Sequence, residues 1–281
     1  MSDQEISYVS ANDLQFAYLE QGEGPLVLLL HGFPDTAYTW SRVLPALSSK
    51  GYRAVAPFMR GYAPSERPRQ DPDMRTLGED VLGLINALEP SSEPVIVVGH
   101  DWGASAAYAA ACLDPTRIRK LVSVAIPFPP GLPISLRTLW SVRHIFTLRL
   151  PGAERRFAAG DLAGIDALVR RWSPLWKFGP EDLAPVKRCF QAPGSLRAAL
   201  GYYRANGLPP PALRGPIRVP TLAIAGDSDS MFRARHFGLV AGHFTAPYCI
   251  ARMPGGHFLH REDPEQFNDL LLAYLEWPGL T

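Results

Sequence analysis

The stretch from Pro94 to Ala109, PVIVVGHDWGASAAYA, constrains the fold more than any other part of the chain. Val95–Val98 is a continuous apolar run rich in β-branched residues, which reads as a parallel strand buried on both faces. It ends at Gly99, and an alanine-rich run that favours helix begins after Gly103. Asp101 stands midway between these glycines. A strand that turns sharply into a helix, with a reactive side chain at the apex and glycines two residues to either side, is a nucleophile elbow. The turn leaves no room for a Cβ at the flanking positions. Serine is the usual occupant of the apex; here it is a carboxylate.

The flanking chain repeats the strand–helix alternation. Ile6–Ser10 and Gln15–Gln21 alternate around Asn12-Asp13 and read as a hairpin. Leu26–Leu30 is a buried strand ending at His31-Gly32-Phe33-Pro34. Trp40–Lys50 reads as an amphipathic helix, Tyr52–Pro57 as a strand, Met74–Glu89 as a helix and Ile118–Ala125 as a strand. Such alternation gives a parallel α/β sheet with right-handed crossovers. From about Leu132 to Leu213 only helical patterns occur. The alternation resumes at Pro220–Gly226 and Tyr248–Met253 and closes with a helix at Pro264–Glu276. The expected organisation is therefore a core of residues 1–130 and 214–281, interrupted by a helical insertion, 131–213. An insertion leaving the carboxyl end of a strand roofs the place where ligands bind in such sheets.

Composition removes several function classes. Lys+Arg (28) and Asp+Glu (27) nearly cancel, so net charge gives no reason to expect nucleic acid or an anionic membrane as partner. Cys112, Cys189 and Cys249 are scattered, without metal-ligand spacing, and suggest reduced thiols in a cytoplasmic protein. The N-terminal Met1–Glu5 is polar and does not resemble a signal peptide, and no apolar run approaches a membrane span. Gly22-Glu23-Gly24-Pro25 precedes a strand and lacks a following Lys-Ser/Thr, so it is a turn and not a phosphate loop. No metal or other cofactor is expected.

Four stretches fall at the carboxyl ends of expected strands: His31–Pro34, Gly99–Gly103, Gly226–Asp229 and Gly255–Phe258. Their order is nucleophile, acid, then histidine, the chain order of the α/β-hydrolase triad. Together with Arg60-Gly61-Tyr62-Ala63-Pro64-Ser65 and Gly201-Tyr202-Tyr203-Arg204, these motifs make the chain resemble the epoxide hydrolases of the α/β-hydrolase superfamily over nearly its whole length. The resemblance implies an eight-stranded, mostly parallel sheet flanked by helices, with a helical cap after the sixth strand. It implies a covalent alkyl ester on Asp101 and water activated by His257 with Asp229 behind it. It further implies an oxyanion hole from the backbone N–H groups of Phe33 and Trp102, and a cis peptide at Pro34. Two cap tyrosines usually polarise the epoxide oxygen in this family. Tyr203 matches the second; the position of the first falls near His144, so a His144/Tyr203 pair is expected. Pro34, Phe128 and Tyr202 are expected to line the pocket, Tyr202 by packing. The substrate implied is a small apolar epoxide, with water as co-reactant, acted on by a monomer or homodimer.

The chemistry is consistent with a carboxylate at the apex. A carboxylate attacks an sp³ carbon and forms an ester. An already ionised Asp needs no base, which leaves the histidine free to activate water in the second step. Motif register favours Asp229 over Asp227 as the acid, and His257, directly after Gly255-Gly256, over His260 as the base. A metal site at His257/His260 lacks a third ligand. His31 and His100 read as supports of their loops, and Trp172 as cap core. Pro57 stands where the family has an Asp before Arg60. Haloalkane dehalogenation uses the same Asp/His/acid set and is the alternative reading. It usually has a second halide donor just after His-Gly, where this chain has Phe33. A non-catalytic binding protein on this fold is a more distant reading.

Overall fold

The computed structural model describes residues 5–132, 139–140, 142–207 and 209–278. The described strands are β1 (Ile6–Ala11), β2 (Leu14–Gln21), β3 (Leu26–Leu30), β4 (Arg53–Pro57), β5 (Val95–His100), β6 (Ile118–Val124), β7 (Thr221–Gly226) and β8 (Tyr248–Met253). They form an eight-stranded sheet in the order β1-β2-β4-β3-β5-β6-β7-β8. β1–β2 and β2–β4 pair antiparallel, and the other pairings are parallel. Every residue of β3, β5 and β7 is buried, which is why these strands are unbroken apolar runs. Each such Val, Leu or Ile contributes about 1.5–3 kcal/mol by leaving water. At the sheet edges the pattern changes: β1 and β8 mix exposed with half-buried positions. Asn12 and Asp13 take φ of 44° and 61°, closing the β1–β2 hairpin in the left-handed region that Asn and Asp tolerate.

Helices α1 (Leu44–Ser48), α2 (Met74–Leu88), α3 (Trp102–Leu113), α8 (Ala234–Leu239), α9 (Leu259–Glu262) and α10 (Pro264–Glu276) flank the sheet. The helix expected over Trp40–Lys50 is instead a 3₁₀ turn, Ala37–Trp40, followed by α1. Pro45 explains the break: without an N–H it belongs in a first turn, so the helix starts beside it. Between β6 and β7 the described elements longer than a single turn are helices α4 (Arg143–Arg149), α5 (Ala153–Trp172), α6 (Pro180–Gln191) and α7 (Ser195–Ala205). α5 is interrupted at Ala159–Leu162, where Gly160, Asp161 and Leu162 are left-handed. The carboxyl ends of β3, β5, β7 and β8 therefore lead into the loops carrying Phe33, Asp101, Asp229 and His257, at one end of the sheet.

Candidate active site

The β5–α3 turn fixes Asp101. Its φ and ψ are 52° and −118°, a conformation L-residues rarely adopt. The neighbouring glycines make it possible. A Cβ on Gly99 would lie 2.4 Å from the Gly103 carbonyl oxygen, and one on Gly103 would lie 2.3 Å from that of Leu30. The carboxylate is nearly buried and accepts the Phe33 N–H at Oδ1, at 2.8 Å. Asp101 Oδ1 and Trp102 N both border Gly32, where a Cβ would meet them at 2.5 and 2.6 Å. The Phe33–Pro34 peptide is cis.

His257 approaches from the β8 loop. Its Nε2 lies 3.4 Å from Asp101 Oδ2, and its Nδ1 lies 3.0 Å from Asp229 Oδ2. Asp229 is fully buried and is itself held by the Met231 N–H at 2.7 Å on Oδ1. The competing Asp227 instead pairs with Arg252 at the exposed surface. Burial disfavours a charged imidazole, but Asp229 and Asp101 on its two sides outweigh that cost and raise His257 to about 9. Burial likewise works against the Asp101 carboxylate. His257 and the Phe33 N–H outweigh it and hold Asp101 below the usual carboxylate range. The resting site is thus an imidazolium between two carboxylates.

The other histidines of the region are buried and neutral. Met59 N–H donates to His31 Nε2 at 2.9 Å, which puts the proton on Nδ1 and ties β4's exit to the β3 loop. His100 Nε2 donates to the His257 carbonyl oxygen at 2.9 Å, and His260 Nε2 bonds Thr39 Oγ1 at 2.6 Å. Burial lowers His31 to about 4, His100 to about 3, and His260 well below 6.5. Their depressed values contribute stability that is full above 6.5 and lost as pH falls toward them. The melting temperature is therefore expected to drop steeply from pH 6.5 to pH 4. His257, raised in the fold, contributes stability that is full below 6.5 and lost as pH rises through 9. Calorimetry across pH 4–10 checks both limbs, and a flat profile contradicts these charge states.

Above Asp101 lies a cavity of about 520 Å³ whose walls include Trp102, Ile126, Pro127, Val142, Ile145, Met231 and Phe232, together with Tyr203 and His144. The Tyr203 ring meets those of Trp102, Phe33 and His144 edge-on, with centroids 5.1, 5.4 and 6.0 Å away. Burial, then the charge of Asp101, push the Tyr203 phenol well above its usual value, so it is a donor that keeps its proton. Three expected pocket residues are not among the cavity's walls. Tyr202 turns away from the cavity and donates its hydroxyl to the Arg60 carbonyl at 2.9 Å, because one helical residue rotates the side chain about 100°. Pro34 is buried. Phe128 packs on Tyr108 and Phe244 and borders a small neighbouring cavity.

Residues 25–164 match the α/β-hydrolase fold family. Epoxide hydrolase 3 of Siraitia grosvenorii is 32% identical across 92% of this chain and 94% of its own. The chain belongs to the epoxide hydrolases. Epoxide hydrolase A of Mycobacterium tuberculosis is 30% identical, covering 95% of this chain and 96% of its own. The crystal structure of an epoxide hydrolase from Vigna radiata matches with a TM-score of 0.79 at 26% identity, over 97% of this chain and 98% of that one. The protein is thus a hydrolase with an α/β-hydrolase fold, and among the described residues no helix is long and apolar enough to cross a membrane.

The sequence placed Trp172 in the cap core alone, and its contact with the candidate site was missed. Trp172 ends α5, and its carbonyl accepts the His257 N–H at 3.2 Å. Its indole stands edge-on to both His257 (5.0 Å) and His144 (4.8 Å). The helical stretch thereby reaches the loop of His257. No periodicity marks this role; it follows from where α5 ends. Arg60, lacking an Asp at position 57, finds its carboxylate in buried Asp80 instead. Among the described residues no His, Cys, Asp and Glu cluster suits a metal ion.

Proposed function

We propose that this hydrolase opens an epoxide to a vicinal diol through a covalent ester on Asp101. The observation that carries the reading is the Asp101 carboxylate itself. It is ionised and pinned by Phe33 N–H at one oxygen, with its other oxygen beside His257 and an apolar cavity above it. In the first step Asp101 attacks a ring carbon, the C–O bond of the epoxide breaks, and the ring oxygen takes hydrogen bonds from Tyr203 and His144. The ester is neutral. Its formation removes one of the two carboxylates that raise His257, so the imidazolium proton passes to the opened ring oxygen, which becomes a hydroxyl, and the neutral imidazole becomes a base. His257 Nε2 then takes a proton from water, the water attacks the ester carbonyl, and Asp229 stabilises the returning imidazolium. The N–H groups of Phe33 and Trp102 hold the oxyanion, and its collapse breaks the ester C–O bond, the proton of the acid so formed passing to the leaving oxygen to give the diol and restore the Asp101 carboxylate. In this reading residues 131–213 act as a cap on a core of residues 1–130 and 214–281.

Haloalkane dehalogenation uses the same first step. It needs donors for a departing halide, and the Phe33 side chain offers none: it packs on Phe157, Phe190 and Tyr203. Styrene oxide and a bromoalkane, supplied separately, distinguish the two. Diol without bromide release is expected; bromide release without diol contradicts the reading. Within the first step, Tyr203→Phe is expected to slow alkylation by roughly 10²-fold, the cost of one preorganised donor. His144→Phe should slow alkylation more than ester hydrolysis. Single-turnover stopped flow measures both, and an unchanged alkylation rate in His144→Phe makes that residue structural.

A further inference from the structure

Four large apolar side chains between positions 139 and 150 are exposed, two of them at the entrance to the cavity. Trp140 is 68% exposed, Phe146 54%, Leu150 53% and Leu139 41%. Leu139 and Phe146 also line the cavity above Asp101, so they form its rim. Single exposed apolar residues are ordinary on a soluble protein; four on one short stretch, two of them at the entrance to an apolar cavity, mark an interaction surface. Its charge is one-sided. The Arg143 guanidinium lies 4.3 Å over the Trp140 ring and donates to the Trp140 carbonyl. Arg171 stands near enough to Arg143 for their charges to repel. Trp140 also walls a second cleft, of about 250 Å³, with Arg233 and Arg235. The acid in that cleft is Asp229, which is buried and held by His257. From Trp140 to Ala158 the sequence has four arginines and one acid, Glu154.

A Trp and aliphatic face inside a collar of arginines is the composition that lies in the headgroup boundary of an anionic bilayer. Its place at the cavity rim gives such docking a use, because an apolar epoxide partitions into lipid. We infer that the face bearing Leu139, Trp140, Phe146 and Leu150 docks on an anionic lipid surface and admits apolar substrate from it. The choice of substrate rests on the epoxide reading; the docking does not. The near-zero net charge of the whole chain conceals this local excess.

Flotation of the full-length protein with vesicles tests the docking. Phosphatidylcholine vesicles containing phosphatidylglycerol should carry the protein up the gradient, pure phosphatidylcholine vesicles much less, and added salt should release it. Arg143→Glu with Arg235→Glu should weaken binding roughly tenfold or more, and Trp140→Ser with Leu150→Ser should abolish it. Both variants should keep wild-type turnover of dissolved styrene oxide. Equal binding to neutral and anionic vesicles, or binding that neither variant changes, overturns the inference. So does a dimer by light scattering that Trp140→Ser dissolves without any vesicle binding, which makes a second copy the occupant. Vesicle binding by a protein that opens no epoxide upholds the docking and removes the epoxide reading alone.

Discussion

Asp101→Ala is expected to abolish epoxide opening, lowering kcat/KM by roughly 10⁴-fold or more, as loss of a covalent nucleophile does elsewhere. The size follows from the site. Nothing else within the elbow can attack: Tyr203 keeps its proton, and His257 is protonated beside the carboxylates. Asp101→Asn keeps the shape and the strained turn, yet it removes the charge that both attacks carbon and raises His257. It should be as inactive as the alanine variant in steady state. Neither change should unfold the protein, since a carboxylate in a φ of 52° contributes function more than stability. Thermal melts of both variants beside initial rates of diol formation check this. A variant retaining a tenth of wild-type activity would place the nucleophile elsewhere.

His257→Gln separates the two steps. Alkylation needs Asp101 as an anion, and Asp229 and Phe33 N–H remain in this variant. Ester hydrolysis needs a base, and the variant has none: His100 and His260 are neutral but bonded to the His257 carbonyl and to Thr39. The variant should therefore consume about one equivalent of styrene oxide per site and then stall, with hydrolysis slowed by roughly 10²–10⁴-fold. The burst itself should be slower than in the wild type, because the imidazolium no longer depresses the Asp101 carboxyl. The loss should be greater at acid pH, where more of Asp101 is protonated.

How far the sequence reaches can be judged residue by residue. The elbow was legible because the turn demands glycines at two fixed places, and both meet backbone at under 2.5 Å once a Cβ is imagined. The positions of the strands were legible from apolar runs and from a hairpin with Asn12-Asp13 at its tip, whereas the order in which they lie side by side comes from the structure. His31 as a loop tether was also legible, since a histidine between a strand and Gly32 has few other uses. Distances across the fold were not. Tyr202 and Tyr203 are neighbours in sequence, and only the rotation of α7 sends one to Arg60 and the other to the cavity. Pro34 and Phe128 lie in the right loops but turn into packing. Trp172 touches His257 from a distant segment of the chain, which no local pattern encodes. The arginines beside Trp140 come from two separate segments, Arg143 and Arg233/Arg235, so a whole-chain charge count averages them away.

The account turns on one bond, between Asp101 and a carbon of the substrate. The most direct measurement is the mass of His257→Gln after mixing with styrene oxide, with the adduct then located by peptide mapping. The account predicts a gain of one substrate mass, confined to the peptide carrying Asp101 and absent when Asp101→Ala is combined with His257→Gln. An unmodified protein that still forms diol, or an adduct that survives the loss of Asp101, would contradict it.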